Sequence, residues 1–156
     1  PRPHLNSLGL FVNRVAQSPG RSGKMETRPQ KRILVMDEDL LSIANIFLTL
    51  LRGGYVLSHA TNHQTALKAL RDEKPDLIIC NLDERNLEAH RLVSAVQQTR
   101  AFRRIPFLFI VESKRDPAQA PEIFGPKQYL IKPFTREQLA SAVQEHLDRK
   151  RQRQIS

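Results

Sequence analysis

Residues 33–39 read Ile33-Leu34-Val35-Met36-Asp37-Glu38-Asp39, four apolar residues followed directly by three acids. A run that is apolar at every position is typical of a strand covered on both faces, as in the centre of a parallel sheet. The acids then enter a loop, and Asp39 suits the N-cap of the amphipathic segment that follows. The stretch therefore predicts a buried strand that delivers carboxylates to one edge of a sheet.

Short apolar runs and amphipathic segments continue to alternate along the chain, which indicates strand-helix-strand units. Further strands are predicted at residues 55–59, 77–80, 107–111 and 129–131, and helices at 39–52, 62–73, 88–99 and 135–149. Gly53-Gly54 should end the first helix, and its inner face is predicted to consist of Leu40, Ile43, Phe47, Leu50 and Leu51.

Two further helix starts carry capping signals. Asn62 suits the N-cap of the second helix, and Thr135 with Gln138 suits a capping box at the last. Residues 116–124 occupy the place of a fourth helix, but Pro117 and Pro121 predict that it is short, displaced or replaced by a loop. Five strands with helices on both faces predict an α/β, doubly wound, five-stranded parallel sheet.

The net charge of the chain is +9, but the charge is unevenly distributed. Residues 1–32 hold seven Lys/Arg against one acid and residues 149–156 hold four against none, whereas residues 33–148 hold 14 against 15. We therefore divide the chain into a basic, flexible leader (1–30), one folded domain (31–148) and a basic C-terminal tail (149–156). The leader is either a linker or upstream extension, or a transit peptide. The second alternative rests on a composition that is rich in arginine and poor in acids.

The single cysteine, Cys80, lies within an apolar run, so it cannot form an internal disulfide and is expected to be a buried hydrophobic residue. Residues 40–51 and 107–111 are the longest apolar stretches, and both are too short to span a bilayer. No membrane segment is expected, and a cytoplasmic location fits this composition.

Polar side chains follow three of the predicted strands at their carboxyl ends: Asp37 and Glu38, Asn81, and Lys132. In a doubly wound sheet the functional crevice lies at the carboxyl ends of the strands, near the point where strand order reverses. Residues far apart in sequence should therefore meet at one edge.

These residues, together with Tyr129-Leu130-Ile131-Lys132-Pro133-Phe134, resemble the receiver domain of two-component response regulators, the CheY-like superfamily. The resemblance covers residues 31–148 and implies a flavodoxin-like three-layer sandwich. It also implies that Asp37 and Glu38 are the acid pair that holds Mg²⁺, that Lys132 faces the phospho-acceptor, and that Pro133 follows a cis bond. Tyr129 would be the aromatic switch residue, although a half-buried strand aromatic explains it equally well.

The acceptor position itself holds an amide, Asn81, where the resemblance calls for an aspartate. Pro75-Asp76 before it and Leu87-Glu88 after it keep the spacing of the family only when residue 81 is the acceptor. An amide is a poor nucleophile, and the loss of one carboxylate should leave at most weak Mg²⁺ binding by Asp37 and Glu38. At the second switch position Val111 replaces a Ser or Thr, so the hydroxyl that would sense a phosphoryl group is missing. Lys132 is then expected to form an ion pair with Asp37 or Glu38.

The resemblance and these departures predict an atypical, stand-alone receiver, a pseudo-receiver, that is not an enzyme and has no cofactor beyond weak Mg²⁺. No output domain follows residue 148, so the chain is expected to act by phosphorylation-independent contacts with a protein: a histidine kinase, another regulator or an output protein. A homodimer is compatible with this function.

Two alternatives remain open. The first is a phosphorylation-dependent regulator that uses Asp83 or another acid. The second is a nucleic-acid-associated regulator that uses the basic tails, which the sequence disfavours because it lacks a helix-turn-helix and an aromatic stacking platform.

Overall fold

The structure is a computed structural model that describes residues 30–82, 87–112 and 129–155, with side chains described as far as residue 149. Its strands are β1 (Arg32–Met36), β2 (Val56–Ala60), β3 (Leu77–Asn81), β4 (Phe107–Val111) and β5 (Tyr129–Ile131). Its helices are α1 (Leu40–Leu50), α2 (His63–Glu73), α3 (Leu87–Gln98) and α4 (Arg136–Ile155), and a 3₁₀ turn, Leu51–Gly53, extends α1.

All five strands are parallel and lie in the order β2-β1-β3-β4-β5, so the predicted doubly wound sheet is confirmed. Strand order reverses between β1 and β3, which are direct neighbours. Met36 of β1 pairs with Cys80 of β3. Asp37 and Asn81 are the residues that follow this pair along the chain. The fold thus brings two of the predicted site residues side by side at the carboxyl edge of the sheet.

Two apolar clusters cover the two faces of the sheet, which confirms the three-layer arrangement. Leu34, Ile78 and Phe109 point to one face and pack with residues of α2 and α3. Ile33, Val35 and Ile79 point to the other and pack with residues of α1 and α4. Both faces of the central strands are buried because helices lie on each side, which explains their continuous apolar sequence.

The predicted helix caps are confirmed by their hydrogen bonds. Asp39 accepts from the N–H of Leu41 at 2.9 Å, and Asn62 accepts from the N–H of Thr65 at 2.9 Å. Thr135 and Gln138 exchange two hydrogen bonds in a capping box, at 2.8 and 3.1 Å. Gly54 has a φ of 73° after the 3₁₀ turn, a left-handed conformation that glycine adopts at low cost.

Some details of the predicted elements were wrong. Leu40 was predicted to lie on the inner face of α1 but is 56% exposed, whereas Ile46, which was not predicted there, is buried. Leu40 belongs to the first turn of α1, at the edge of the sheet rather than over it. Helix α4 continues to Ile155 and does not stop near Arg149, so the basic tail begins as helix. The segment expected to hold a short or remodelled fourth helix, residues 116–124, lies outside the described residues.

None of the helices in the described part of the chain is long and apolar enough to cross a bilayer.

Candidate functional site

Asp37 directly follows β1 and is almost fully buried, with 2% of its surface exposed. Its backbone N–H donates to the carbonyl of Ala60 at 3.1 Å, which holds it against the end of β2. One carboxylate oxygen, Oδ1, accepts from the N–H of Asp39 at 2.9 Å. Glu38, the second predicted acid, is exposed. The acid pair is therefore split into one buried, hydrogen-bonded carboxylate and one that faces solvent.

Asn81 ends β3 beside Asp37, and its side chain is half-buried. Its Nδ2 donates to Oδ2 of Asp37 at 3.3 Å. The amide thus supplies a neutral donor at the point where a second carboxylate would meet Asp37. Such a contact leaves the buried charge of Asp37 hydrogen-bonded and avoids repulsion between like charges.

The described residues do not fit a Mg²⁺ site that combines Asp37 and Asn81. The amide of Asn81 presents its donor nitrogen, rather than a ligand oxygen, to Oδ2 of Asp37. Mg²⁺ requires hard oxygen ligands in near-octahedral geometry. In the part of the chain that the structure describes, no three His, Cys, Asp or Glu side chains form a group suited to a metal ion.

Lys132 does not pair with Asp37 or Glu38, so this prediction was wrong. Its Nζ lies 3.4 Å from Oε1 of Glu112, and its backbone N–H donates to the carbonyl of Val111 at 2.9 Å. Glu112 follows β4, the direct neighbour of β5, whereas Asp37 follows β1, which β3 and β4 separate from β5. The expected cis bond between Lys132 and Pro133 is present.

The two switch positions lie where the sequence suggested. Val111 is the last residue of β4 and is 7% exposed, so an apolar side chain closes the end of this strand. Tyr129 is half-buried in β5 and packs near Phe109, with 5.9 Å between ring centroids. Tyr129 is thus part of the core on this face, which is compatible with both readings of its role.

Cys80 precedes Asn81 and is fully buried, as predicted. Burial, and secondarily the charge of Asp37, raise the pKa of its thiol to about 12. The thiolate is the reactive form of cysteine. Cys80 is therefore an apolar core residue and carries no chemistry at this edge.

Sequence reasoning missed two contacts at the same edge. Glu88 accepts hydrogen bonds from the backbone N–H of His63, at 2.8 Å, and from its ring Nδ1, and these bonds lower the pKa of Glu88. They join the first turns of α2 and α3. The second is the ion pair between Lys132 and Glu112, which follow the adjacent strands β5 and β4. Asp83, the alternative acceptor, lies outside the described residues.

A groove of roughly 580 Å³ lies beside this edge, between α1 and the segment that joins β5 to α4. Its walls include Leu41, Leu48, Pro133 and Phe134, and Glu112 and Lys132 lie at one end. Leu41 and Leu48 are 75% and 60% exposed, and helix α1 contains no charged residue. The lining is mixed, because polar and charged side chains alternate with these apolar ones: Asp39, Ser42, Asn45, Thr49 and Arg136.

Comparisons with known proteins agree with the fold. One relative is the alkaline phosphatase synthesis transcriptional regulatory protein PhoP of Bacillus subtilis, which is 28% identical over 119 residues, 76% of this chain and 49% of PhoP. The chain thus spans about half the length of this relative.

Two solved structures share the fold. The chemotaxis response regulator CheY4 of Vibrio cholerae matches with a TM-score of 0.64 and 23% identity, over 76% of this chain and 99% of CheY4. The N-terminal domain of a response regulator receiver protein from Methanoculleus marisnigri matches with a TM-score of 0.56 and 26% identity, over 73% and 94%. Residues 33–144 match the family described as the response regulator receiver domain, and the chain therefore belongs to this family of two-component signalling domains.

Proposed function

We propose that this chain is an atypical receiver, a pseudo-receiver, that signals through protein contacts independent of phosphorylation. The observation that carries the proposal is the hydrogen bond from Nδ2 of Asn81 to Oδ2 of Asp37. The lone pair of an amide nitrogen is delocalised into the carbonyl group, and the amide oxygen carries no negative charge, so neither atom is an effective nucleophile toward phosphorus. The acceptor position is thus occupied by a group that binds its neighbour and cannot form an acyl phosphate.

The surroundings of Asn81 support the same conclusion. Val111 has no hydroxyl with which to bind a phosphoryl group. The Nζ of Lys132 lies 3.4 Å from Oε1 of Glu112, the residue that follows β4. Phosphoryl transfer relies on positioned cations and donors around the reacting group. Here these groups are either absent or bonded to other residues. The proposed role is accordingly non-enzymatic, with at most weak Mg²⁺ binding at Asp37 and Glu38.

A phosphodonor experiment tests this half of the proposal. The full chain is incubated with acetyl phosphate and Mg²⁺, and separately with beryllofluoride and Mg²⁺, and is then followed by intact mass and by amide NMR shifts. We expect no covalent phosphate and no shift around residue 81. Modification that maps to Asp83 would favour the alternative of a phosphorylation-dependent regulator.

The groove beside α1, with its exposed leucines Leu41 and Leu48, is the surface that we assign to the protein partner. Its exposed leucines would be buried by an apolar side chain or helix, and burial of apolar area is the main favourable contribution to such contacts. The partner class is a protein of the same signalling system: a histidine kinase, another regulator or an output protein. The alternative occupant of the groove is a second copy of this chain. Sedimentation at increasing protein concentration would then show a dimer.

The groove is tested by replacing its leucines. Leu41→Asp with Leu48→Asp places two charges in the groove, and Leu87→Asp is the matched control because Leu87 is also exposed, at 62%, but lies outside it on α3. With a partner captured by the wild-type chain and then purified, the double variant should bind at least tenfold more weakly. Equal binding by the double variant and the control would place the contact elsewhere on the domain.

A further inference from the structure

Among the described residues, acids predominate at the carboxyl edge of the sheet and cations at the opposite edge. The carboxyl edge carries the acids Asp37, Glu38, Asp39, Glu88 and Glu112, with the cations Lys132 and Arg136. At the opposite edge, where the strands begin and the helices end, six exposed cations lie before β1, at the end of α2 and in the connections that follow α2 and α3. We call them the basic edge: Lys31, Arg71, Lys74, Arg100, Arg103 and Arg104.

Further cations lie at the same end of the domain. Arg32 begins β1, Arg52 lies in the 3₁₀ turn after α1, and Arg149 lies in α4. Five carboxylates share this end: Asp72, Glu73, Asp76, Glu145 and Asp148, of which Glu145 lies 3.8 Å from Arg149. Cations therefore outnumber acids there, nine to five, counted from the residues just named.

Three cations of the basic edge lie together in the turn between α3 and β4. Arg100, Arg103 and Arg104 are all exposed, and no carboxylate among the described residues forms an ion pair with any of them. Cations are common in the last turn of a helix, where they stabilise its dipole. That explanation does not extend to this turn, because all three arginines follow the end of α3 at Gln98.

Helix α4 adds to the basic edge. Helices α1, α2 and α3 have 11, 11 and 12 residues, whereas α4 has 20. Leu147 of α4 and Tyr55, the residue before β2, belong to the same core cluster, so α4 reaches the start of the strands near residue 147. At about 1.5 Å per residue, the last seven residues of α4 project by about 10 Å beyond the sheet. The sequence places Lys150, Arg151 and Arg153 on this projecting end.

We propose that the basic edge, with the projecting end of α4, is a binding surface for the phosphate backbone of double-stranded DNA. Clustered Lys and Arg on one face are the electrostatic signature of sequence-independent binding to a polyanion. Among the described residues, the aromatic side chains at this edge belong to the core clusters: Phe102 and Tyr55 are half-buried, and Phe107 is buried. Single-stranded nucleic acid is bound on exposed aromatic platforms, and this edge lacks one in the described residues.

The projecting helix favours DNA over duplex RNA. The major groove of B-DNA is wide enough, at about 12 Å, to admit an α-helix, whereas the major groove of A-form RNA is deep and narrow. The surface lies at the opposite end of the strands from Asn81 and from the groove assigned to the protein partner. The domain would then hold a protein at one end and DNA at the other.

A pair of charge-matched variants tests the proposal in the full chain. The edge variant is Arg100→Gln, Arg103→Gln and Arg104→Gln. The control is Lys68→Gln, Arg91→Gln and Arg136→Gln, three exposed cations outside the basic edge that lower the net charge equally. Fluorescence anisotropy with a labelled 20-base-pair duplex is measured between 50 and 200 mM NaCl.

We expect the edge variant to bind at least tenfold more weakly at 100 mM salt, and the control to change by less than threefold. If all three arginines contact phosphates, the slope of log affinity against log salt should fall by about 2 to 3 in magnitude, since each contact contributes about 0.9. Equal losses in both variants would overturn the proposal, because they would show a response to net charge alone. Unchanged binding by the edge variant would also overturn the proposal, because the affinity would then come from residues 1–30 or from other cations.

Two measurements on the wild-type chain do not depend on any variant. Amide NMR shifts on addition of duplex should appear at residues 31, 71–74 and 100–104, and those at residues 37–39 should not move. Competition with a 20-nucleotide single strand, duplex RNA and an acidic peptide should leave the DNA duplex as the tightest ligand. Absence of binding at 50 mM salt, or tighter binding to any competitor, would refute the assignment to duplex DNA.

Discussion

Replacing the amide at the acceptor position by a carboxylate, Asn81→Asp, should destabilise the domain in the absence of Mg²⁺. The change converts a donor that lies 3.3 Å from Oδ2 of Asp37 into a second negative charge. At that separation two unit charges repel by about 5 kcal/mol with an effective dielectric constant of about 20. Rotation of the half-buried side chain at 81 and proton uptake by the pair reduce this value. We expect the free energy of unfolding to fall by about 2–4 kcal/mol at pH 7.5.

The assay is urea unfolding of the wild type, Asn81→Asp and Asn81→Ala, each with and without Mg²⁺. Asn81→Ala is the control for loss of the hydrogen bond alone, which should cost about 1 kcal/mol. Mg²⁺ should restore stability only to Asn81→Asp, by about 1.4 kcal/mol at a concentration tenfold above its Kd. At pH 5 the loss relative to the wild type should shrink, because one carboxyl of the pair takes up a proton.

Two results would refute this reasoning. If Asn81→Asp were as stable as the wild type at pH 7.5 without Mg²⁺, the side chain at 81 would not face the carboxylate of Asp37. If Mg²⁺ stabilised the wild type as much as Asn81→Asp, the amide would not have weakened the cation site. Equal stabilisation of the wild type by Mg²⁺ would also weaken the proposed function, because it would remove one reason for expecting that residue 81 is not phosphorylated.

Three further outcomes are expected from buried and capping residues. Burial lowers the pKa values of His59 and His146, so the unfolded chain binds more protons than the folded chain below about pH 6.5. The free energy of unfolding should therefore fall as the pH drops from 7 to 5. A flat pH profile in urea unfolding would contradict this. Cys80, with a thiol pKa of about 12 and no exposure, should react with a thiol reagent only at the rate of unfolding, so rapid labelling of the native chain would show that it is accessible. Thr135→Ala removes the capping hydroxyl of α4 and should cost about 1 kcal/mol of stability, and a Thr135→Ser control should keep most of it.

The strands and caps were predictable because their signals are local. A run such as residues 33–36 is apolar at every position only if both faces are covered, and the caps at Asp39, Asn62 and Thr135 need contacts within three residues. The meeting of Asp37 and Asn81 was also predictable, since the family resemblance implied neighbouring strands. The burial of Ile46 instead of Leu40 was not, because periodicity gives the face of a helix but not where the sheet beneath it ends.

The partner of Lys132 could not be read from the sequence. Asp37, Glu38 and Glu112 all follow strands at the same edge, and the sequence pattern does not rank their distances from β5. The order of the strands decides between them, because Glu112 follows the neighbouring strand and the other two follow a strand that lies two further away.

The sequence by itself determined the class of fold, the caps of three helices and the amide at residue 81, the predicted acceptor position, because each depends on residue type and short-range spacing. Only the tertiary structure decided that Lys132 pairs with Glu112 and that the arginines of the α3–β4 turn share an edge with Arg71 of α2. Ion pairs and surface charge depend on distances between elements that are remote in sequence. Those distances exist only once all the strands have adopted their order in one sheet.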